Sequence, residues 1–279
     1  MSDLMQVVSR RKFVGQLLGV TAVTAFAGYP VWETRHLVIN RLRVGLPSLP
    51  SSLSGLKIAF LADIHVGPFL SSQYLRRVVN QVNSLGVDLI LLGGDYVHRE
   101  GRYVASTAAE LARLSAPLGV FSVLGNHDYY AGRELTLAEL ARNGLPCLVN
   151  SGLRITRGTD SLWLGGVDDL CRGTPSPELA LSGVRSGETA ILLSHCPDVA
   201  ETLKDDRVSL MLSGHTHGGQ IRLPFIGSPI IPSRYGQKYA SGLVQAPKTQ
   251  CFVTRGVGTI FPPVRLNCPP EIAVITLTT

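Results

Sequence analysis

The sequence predicts a layered α/β fold in which helices cover the faces of β-sheets. Short apolar runs of strand length alternate with segments whose apolar residues recur at helical spacing. The chain has 279 residues, of which 45% are hydrophobic and 16% are charged, so it is long enough to bury one large core. This composition excludes a disordered chain.

Strand–helix alternation is clearest in the first half of the chain. Ser71 or Ser72 is expected to cap the first helix, and Gly86 to end it. The predicted strands there are 57–61, 88–92 and 120–124, and the predicted helices are 72–85, 103–114 and 135–142. The alternating Leu37-Val38-Ile39 is a candidate edge strand.

The second half carries more strand signal. Its predicted strands are 162–167, 190–193, 208–212, 250–254 and 272–277, with one helix at about 197–204. The stretch 223–242 is rich in Pro and Gly, so it should form a long, mostly irregular loop over or beside a site.

Polar side chains follow the apolar runs where the predicted strands end. Ligands gather outside the carboxyl ends of strands in an open α/β sheet, so these side chains should converge on one rim. His215 and His217 lie two residues apart between glycines, although a polar turn is the alternative for that segment alone. The candidates are Asp63, His65, Asp95, Asn126, His127, His195, His215 and His217.

Five of the seven histidines lie just after strand-like runs, whereas His36 and His98 do not share that context. Crowding so many polar groups without partners would be costly, and metal ions would satisfy them together. Ligands of imidazole, carboxylate and amide type suit Mn²⁺, Fe, Zn²⁺ or Co²⁺. The set is too large for one ion, and two ions about 3.5–4 Å apart can hold a hydroxide, lower its pKa and clamp a phosphate.

The ordered set resembles the five blocks of the calcineurin-like metallophosphoesterase family: Asp63-x-His65, Gly94-Asp95, Gly125-Asn126-His127-Asp128, His195 and Gly214-His215-x-His217. The resemblance spans 57–217 and implies a layered αββα sandwich, with two central mixed β-sheets flanked by helices. It also implies two divalent metal ions, for which we expect Mn²⁺, with Fe, Zn²⁺ or Co²⁺ as alternatives.

The family pattern implies a role for each matching residue. A first metal would bind to Asp63, His65 and His217. A second would bind to Asn126, His195 and His215, and Asp95 would bridge both. His127 would contact the phosphate and help to protonate the leaving group, with Asp128 orienting its ring; a loop cap is the alternative for Asp128.

Segments beyond His217 resemble an exported or membrane-associated branch of the same family. Some related enzymes cleave UDP-2,3-diacylglucosamine, a lipid A precursor, so the resemblance makes a lipid-linked or nucleotide-sugar diphosphate a candidate substrate. The apolar stretch 223–231 would either face lipid chains or pack as a lid. Arg234, Lys238 and Arg255 would contact substrate oxygens or form surface salt bridges.

The first 27 residues have the layout of an export signal. Arg10 and Arg11 precede an apolar run, 17–27, that ends in Ala25-Phe26-Ala27. The arginine pair resembles a twin-arginine signal, so the twin-arginine translocation machinery is an expected partner and the location is periplasmic or extracytoplasmic. The expected organisation is a signal or anchor at 1–27, a connector at 28–52 and a phosphoesterase domain at 53–279; an amphipathic basic helix is the alternative for 1–27.

The charge balance suits anionic partners. A net charge of +6 and a pI of about 9.2 fit phosphate groups or an anionic membrane surface, or simply a solubilising surface. The basic residues form no long run, so nucleic acid is not an expected partner. The five cysteines form no Cys-x-x-Cys pair, which disfavours a zinc–thiolate site.

The leading hypothesis is therefore a two-metal hydrolase acting on a phosphodiester or pyrophosphate. The alternatives are a general phosphomonoesterase or nucleotidase, a non-catalytic scaffold of the same fold, and a lipid-binding protein of the membrane surface. Loss of ligands is expected in a scaffold, and this chain keeps the whole set.

Overall fold

The structure is a computed structural model that describes residues 28–204 and 206–279. The predicted export signal, 1–27, lies outside the described residues. Among the residues that are described, no helix has the length and apolarity needed to cross a bilayer.

Two mixed β-sheets form the centre of the fold. The first sheet runs in the order β1-β11-β2-β3-β4 and contains β1 (Val38–Gly45), β2 (Lys57–Leu61), β3 (Leu89–Leu92), β4 (Val120–Ser122) and β11 (Glu271–Thr278). The second runs β5-β6-β7-β8-β10-β9 and contains β5 (Ser151–Arg157), β6 (Asp160–Gly166), β7 (Ala190–Leu193), β8 (Val208–Ser213), β9 (Gly242–Gln245) and β10 (Gln250–Val253).

The central strands of each sheet are parallel. β2, β3 and β4 run the same way in the first sheet, and β6, β7, β8 and β10 do so in the second. Their carboxyl ends therefore share a rim in each sheet. The edge strand predicted from Leu37-Val38-Ile39 is confirmed as β1, which lies within the range assigned to the connector and pairs with β11 throughout.

Helices pack on the outer face of the first sheet. They are α1 (Ser72–Asn83), α2 (Val104–Leu111) and α3 (Asn126–Arg142). The short α4 (Pro177–Ala180) lies beside the second sheet, and residues 28–33 are also helical. Leu75, Val78 and Val82 recur at helical spacing in α1 and are buried against the sheet. The Ser71 side chain accepts a hydrogen bond from the Tyr74 N–H, which confirms the predicted cap.

Two helix predictions need correction. The third helix begins at Asn126 and not at 135. It consists of two helical stretches joined at Gly132, whose φ is 115°. The first stretch lacks apolar periodicity, so the sequence pattern did not predict it. The helix predicted at 197–204 is only a 3₁₀ turn, Pro197–Glu201, in which Thr202 N–H bonds to Val199 C=O.

The main core lies between the two sheets. Side chains from the facing sides of both sheets meet there, including Ile58, Phe60, Leu91, Leu193, Leu212 and Phe252. A second cluster lies between the first sheet and its helices, and a third covers the outer side of the second sheet. The two sheets are thus held in fixed relation, which places their strand ends side by side.

Candidate metal centre

The predicted site residues gather where the carboxyl ends of the two sheets meet. Asp63, His65, Asp95 and Asn126 follow strands of the first sheet, and we call them the first rim. His195, His215 and His217 follow β7 and β8 of the second sheet, and we call them the second rim. The sequence predicts that these side chains converge on a common edge, and the distances between their donor atoms measure how closely they approach.

One group of donor atoms joins the two rims. The Nε2 atoms of His65 and His217 are 3.0 Å apart, and His217 Nε2 is 3.5 Å from Asp63 Oδ1. His65 Nε2 is 4.0 Å from the same Asp63 oxygen. Two nitrogens bound at right angles to one ion at about 2.1 Å each would lie about 3.0 Å apart, so this group has the spacing of ligands to a single cation.

A second group lies next to the first. Asp95 Oδ2 is 3.4 Å from His65 Nε2 and 3.2 Å from His195 Nε2, so one carboxylate oxygen reaches both groups. His195 Nε2 is in turn 3.3 Å from His215 Nδ1. The Asn126 side-chain oxygen is buried and has no hydrogen-bond partner among the described residues.

Backbone strain is concentrated in these residues. Among the described residues, nine that are not glycine have positive φ, and five of them are candidate ligands: Asp63, His65, Asp95, His215 and His217, at φ between 54° and 72°. Non-glycine residues adopt this region rarely and at a cost, and such strain clusters at functional sites.

Two glycines leave space for the carboxylates. A Cβ atom on Gly214 would lie 2.5 Å from Asp63 Oδ2, and one on Gly125 would collide with Asp95 Oδ1. The space allows the Asp63 carboxylate to accept a hydrogen bond from His215 N–H at 3.0 Å, and Asp95 Oδ1 to accept one from His127 N–H at 2.7 Å. Each carboxylate is thereby oriented by the backbone of a neighbouring block.

Burial controls the protonation of the site. It raises the pKa of Asp63 to about 6, against the pull of His195. It lowers the pKa of His65 and of His217 well below the usual value, so both rings are neutral at neutral pH. Burial also opposes the charged form of His195, but the Asp95 carboxylate outweighs it and raises the His195 pKa. Cation binding would therefore release a proton from His195.

Comparison with known proteins shows to which family the chain belongs. The family model described as calcineurin-like phosphoesterase matches residues 56–219, more than half of the chain.

The chain belongs to the calcineurin-like phosphoesterase family.

Curated relatives extend the likeness over nearly the whole chain. This phosphoesterase is 34% identical to the uncharacterized metallophosphoesterase YkuE of Bacillus subtilis, over 98% of this chain and 99% of the relative. It is 32% identical to phosphodiesterase YaeI of Escherichia coli, over 97% and 99% of the two chains. A dimetal phosphatase from Danio rerio aligns in structure over 73% of this chain and 88% of its own, at 14% identity and a TM-score of 0.47.

The family is hydrolytic and uses a dinuclear centre of divalent metal ions. The donor set of this phosphoesterase fits such a centre. Ring nitrogens and carboxylate oxygens crowd together in the groups Asp63–His65–His217 and Asp63–Asp95–His195, and the Asn126 oxygen is buried without a partner among the described residues. The predicted αββα sandwich of two mixed sheets is likewise confirmed.

The structure corrects the expectation for Asp128. Its carboxylate accepts hydrogen bonds from the N–H groups of Asp95, Tyr96 and Gly125, at 2.8, 2.9 and 2.9 Å, and so serves as a loop cap. The partner of the His127 ring is instead the His98 carbonyl oxygen, which contacts Nδ1. The family resemblance implies that Asp128 orients the His127 ring, but its carboxylate oxygens accept hydrogen bonds from three backbone N–H groups instead.

Sequence reasoning missed two residues near the centre. His98 follows Val97, whose bridge to Val66 continues the β2–β3 pairing past Asp95, and its ring lies 5.3 Å from the His127 ring. Asp169 follows β6 and has one buried carboxylate oxygen without a partner among the described residues. The strand-end rule used for the other blocks would have found Asp169 as well.

Proposed function

We propose that this phosphoesterase hydrolyses a phosphodiester or a pyrophosphate with the help of two divalent ions, Mn²⁺ being the preferred candidate. The observation that carries the proposal is the pair of donor groups that share Asp95 Oδ2, 3.4 Å from His65 Nε2 and 3.2 Å from His195 Nε2. The relative YaeI of Escherichia coli is named a phosphodiesterase, which supports the choice of a diester.

The residues divide between two ions. Asp63, His65 and His217 would hold the first; Asn126, His195 and His215 would hold the second; and Asp95 would lie between them. Two such ions lower the pKa of water and neutralise the oxygens of the transferred phosphoryl group. The strained backbone and the glycine-lined pockets keep the ligands in place before the ions arrive.

His127 has a different task. Its Nδ1–H donates to the His98 carbonyl oxygen, which leaves Nε2 as the atom that can pass a proton to the departing group. Burial lowers the pKa of the His127 imidazole, so a proton on Nε2 is readily given up. A protonated imidazole at this position would make the departing alkoxide or phosphate a better leaving group.

The substrate we favour carries a lipid or nucleotide-sugar group next to the phosphate, as in UDP-2,3-diacylglucosamine. A cavity of about 250 Å³ borders His217 and is lined mostly by apolar side chains: Ile221, Pro229, Ile230, Pro232, Ile260, Phe261 and Pro262. An apolar pocket directly beside a phosphate-cleaving centre suits a substrate with a hydrophobic part.

A substrate panel tests the proposal. Mn²⁺-loaded protein would be assayed on a bis-aryl phosphate diester, a nucleotide-sugar pyrophosphate, UDP-2,3-diacylglucosamine and phosphomonoesters, with Asp95→Asn as the inactive reference. We expect metal-dependent cleavage of diesters or pyrophosphates. Cleavage of monoesters alone would indicate a phosphomonoesterase or nucleotidase, and no cleavage by protein shown to hold two ions would favour a non-catalytic scaffold.

We further propose export by the twin-arginine route, to the periplasm or another extracytoplasmic site, on the evidence of the paired arginines in 1–27. Replacing Arg10 and Arg11 with Lys should leave the protein in the cytoplasm, as measured by cell fractionation. The matched control is the same change at Arg41 and Arg43 of β1. Unchanged export of the Arg10/Arg11 variant would contradict this route.

A further inference from the structure

Several large apolar side chains project from two loops, one between β8 and β9 and the other between β10 and β11. Phe225 is fully exposed, and Ile226, Ile230 and Phe261 are 71%, 77% and 75% exposed. Single exposed apolar residues are ordinary, but a group of them marks an interaction surface. Ile230 and Phe261 both border the cavity beside His217, so part of the group lies next to one ligand of the metal centre.

Hydrogen bonds hold the loop that contains Phe225. Leu223 and Gly227 exchange backbone hydrogen bonds at 2.8 and 3.0 Å, and Ser228 Oγ donates to Gly218 C=O at 2.7 Å. Phe225 itself has φ 65°, a region that costs free energy for a bulky residue. The exposed Phe225 ring gains no packing among the described residues, which leaves it available to a partner.

A second apolar group adjoins the first. Tyr29, Val31 and Trp32 are exposed on helical residues 28–33, and Arg265 N–H bonds to Pro30 C=O at 2.9 Å. The segment 260–264 connects the two groups. Its residues 260–262 line the cavity beside His217, and its residues 263–264 line a second cavity, of about 440 Å³, that Val31 also lines. We call the two groups together the apolar patch: Tyr29, Val31, Trp32, Phe225, Ile226, Ile230 and Phe261.

Basic side chains border the apolar patch. Arg35 and Arg77 line the larger cavity, and Arg222 immediately precedes the Phe225 loop. None of the three forms a salt bridge within residues 28–204 and 206–279. Arginines beside exposed aromatic and branched side chains are typical of surfaces that bind anionic lipid. The apolar run 17–27 also enters the described chain at residue 28, within this patch.

We propose that the apolar patch docks into the surface of an anionic lipid bilayer. Phe225, Ile226, Ile230 and Phe261 enter the headgroup region, and the bordering arginines contact lipid phosphates. The cavity beside His217 then opens at the bilayer, where a lipid-linked phosphate can enter it without crossing water. The proposal goes beyond the proposed function, because docking requires neither bound metal nor a particular substrate.

Tryptophan fluorescence of the full chain tests the proposal. The chain has two tryptophans, the exposed Trp32 and the buried Trp163, which donates to Ala180 C=O at 2.8 Å and supplies a constant background. A Trp32→Phe, Phe225→Trp variant would be mixed with phosphatidylglycerol–phosphatidylcholine vesicles that carry brominated acyl chains. We expect the new indole to shift its emission to shorter wavelength and to lose most of its intensity.

The matched control places the probe on another exposed apolar position. Leu179 is 59% exposed in α4, which packs on β5 and β6, at the edge of the second sheet away from β9. A Trp32→Phe, Leu179→Trp variant should remain unquenched on the same vesicles. Adding Asp95→Asn to the Phe225→Trp variant should leave the quenching intact, so failure of docking and failure of the catalytic proposal are separate results.

Three outcomes would overturn docking through the patch. Vesicle binding without quenching of the Phe225→Trp probe would mean that another part of the chain, such as 1–27, holds the protein to lipid. A short-wavelength emission before vesicles are added would mean that a second copy or the segment 17–27 covers the patch. Equal quenching of the Leu179→Trp probe would mean that lipid contact is not confined to the patch.

Discussion

The two rims supply different chemistry to the metal centre and are held by different means. The first rim provides the two carboxylates, an amide oxygen and the His65 imidazole, and the second provides three imidazoles and no carboxylate. The Asp128 carboxylate ties the first rim through three backbone N–H groups. Apart from its contact with the first rim, the loop of the second rim is held by neutral bonds, such as the one from Thr216 Oγ1 to Ala240 C=O at 2.9 Å. Three backbone N–H groups donate to the one Asp128 side chain, so the first rim is the firmer half. The difference is greatest above the Asp128 pKa, which burial raises to about 7, because hydrogen bonds to a charged group are roughly twice as strong as neutral ones.

The second rim is also positioned by the first. His215 N–H donates to the Asp63 carboxylate at 3.0 Å, and the His195 Nδ1 lies 2.8 Å from the Gly93 carbonyl oxygen. Both contacts cross from one sheet to the other. The first rim therefore serves as a template on which the second rim is aligned. Substitutions in each rim test that relation.

The largest effect is expected from Asp95→Asn. The change removes the charge of the one carboxylate oxygen that reaches both donor groups, so the site loses its metal ions and its activity together. We expect a loss of more than about 100-fold in metal affinity and activity, since even outer partners of ligands contribute 10–100-fold. Metal analysis and a diester assay measure it, and the exposed Asp206→Asn is the control. Full metal content in Asp95→Asn would contradict the bridging role.

His127→Ala comes next, because it separates turnover from metal binding. Removing a positioned proton donor should lower turnover by about 10²–10⁴-fold while both ions are retained. His98→Ala keeps the carbonyl that holds the His127 ring, so its turnover should fall much less. Loss of both metals from His127→Ala would show that the residue supports the ligands and does not act on the leaving group.

Asp128→Asn tests the firmness of the first rim. An amide presents one oxygen where the carboxylate has two, and its NH₂ group would face a backbone N–H, so we expect a loss of about 3 kcal/mol in the free energy of unfolding. Denaturant titration measures this loss, again beside Asp206→Asn, which should stay within about 0.5 kcal/mol. A change in Asp128→Asn as small as the control would remove the reason for calling the first rim firmer.

Thr216→Val tests the second rim and should have the smallest effect. The hydroxyl is buried and makes one neutral hydrogen bond, so its loss should cost about 1 kcal/mol in the free energy of unfolding. Thr202→Val removes a similar bond at an exposed site, where water replaces it, and should cost less. A loss of unfolding free energy in Thr216→Val as large as that in Asp128→Asn would contradict the claim that the first rim is firmer than the second.

Much of the site could be predicted because its signal is local. Each ligand of the rims directly follows an apolar run, and parallel strands bring such positions to a common edge whatever the loops do. The same locality explains why β2 and β7 were predicted residue for residue. Asn126 and His127 were found in this way even though the helix that begins with them was placed nine residues too late.

The sequence could not decide which of several possible hydrogen-bond partners a polar side chain takes. Asp128 stands next to His127, but its partners come from residues 95–96 and 125, and which donors win depends on distances set by the packed strands. His98 is one of the residues without a strand-end signal, yet pairing of Val66 with Val97 brings its carbonyl to the His127 ring.

The sequence by itself determined the chemistry of this protein: an ordered set of carboxylates and imidazoles after short apolar strands, in a chain of the calcineurin-like phosphoesterase family. Only the tertiary structure decided the left-handed backbone of five ligands, the alignment of the second rim on the first, and the outward turn of Phe225. The physical reason is that residue type and periodicity are local properties, whereas strain and burial depend on what the rest of the chain packs against each residue.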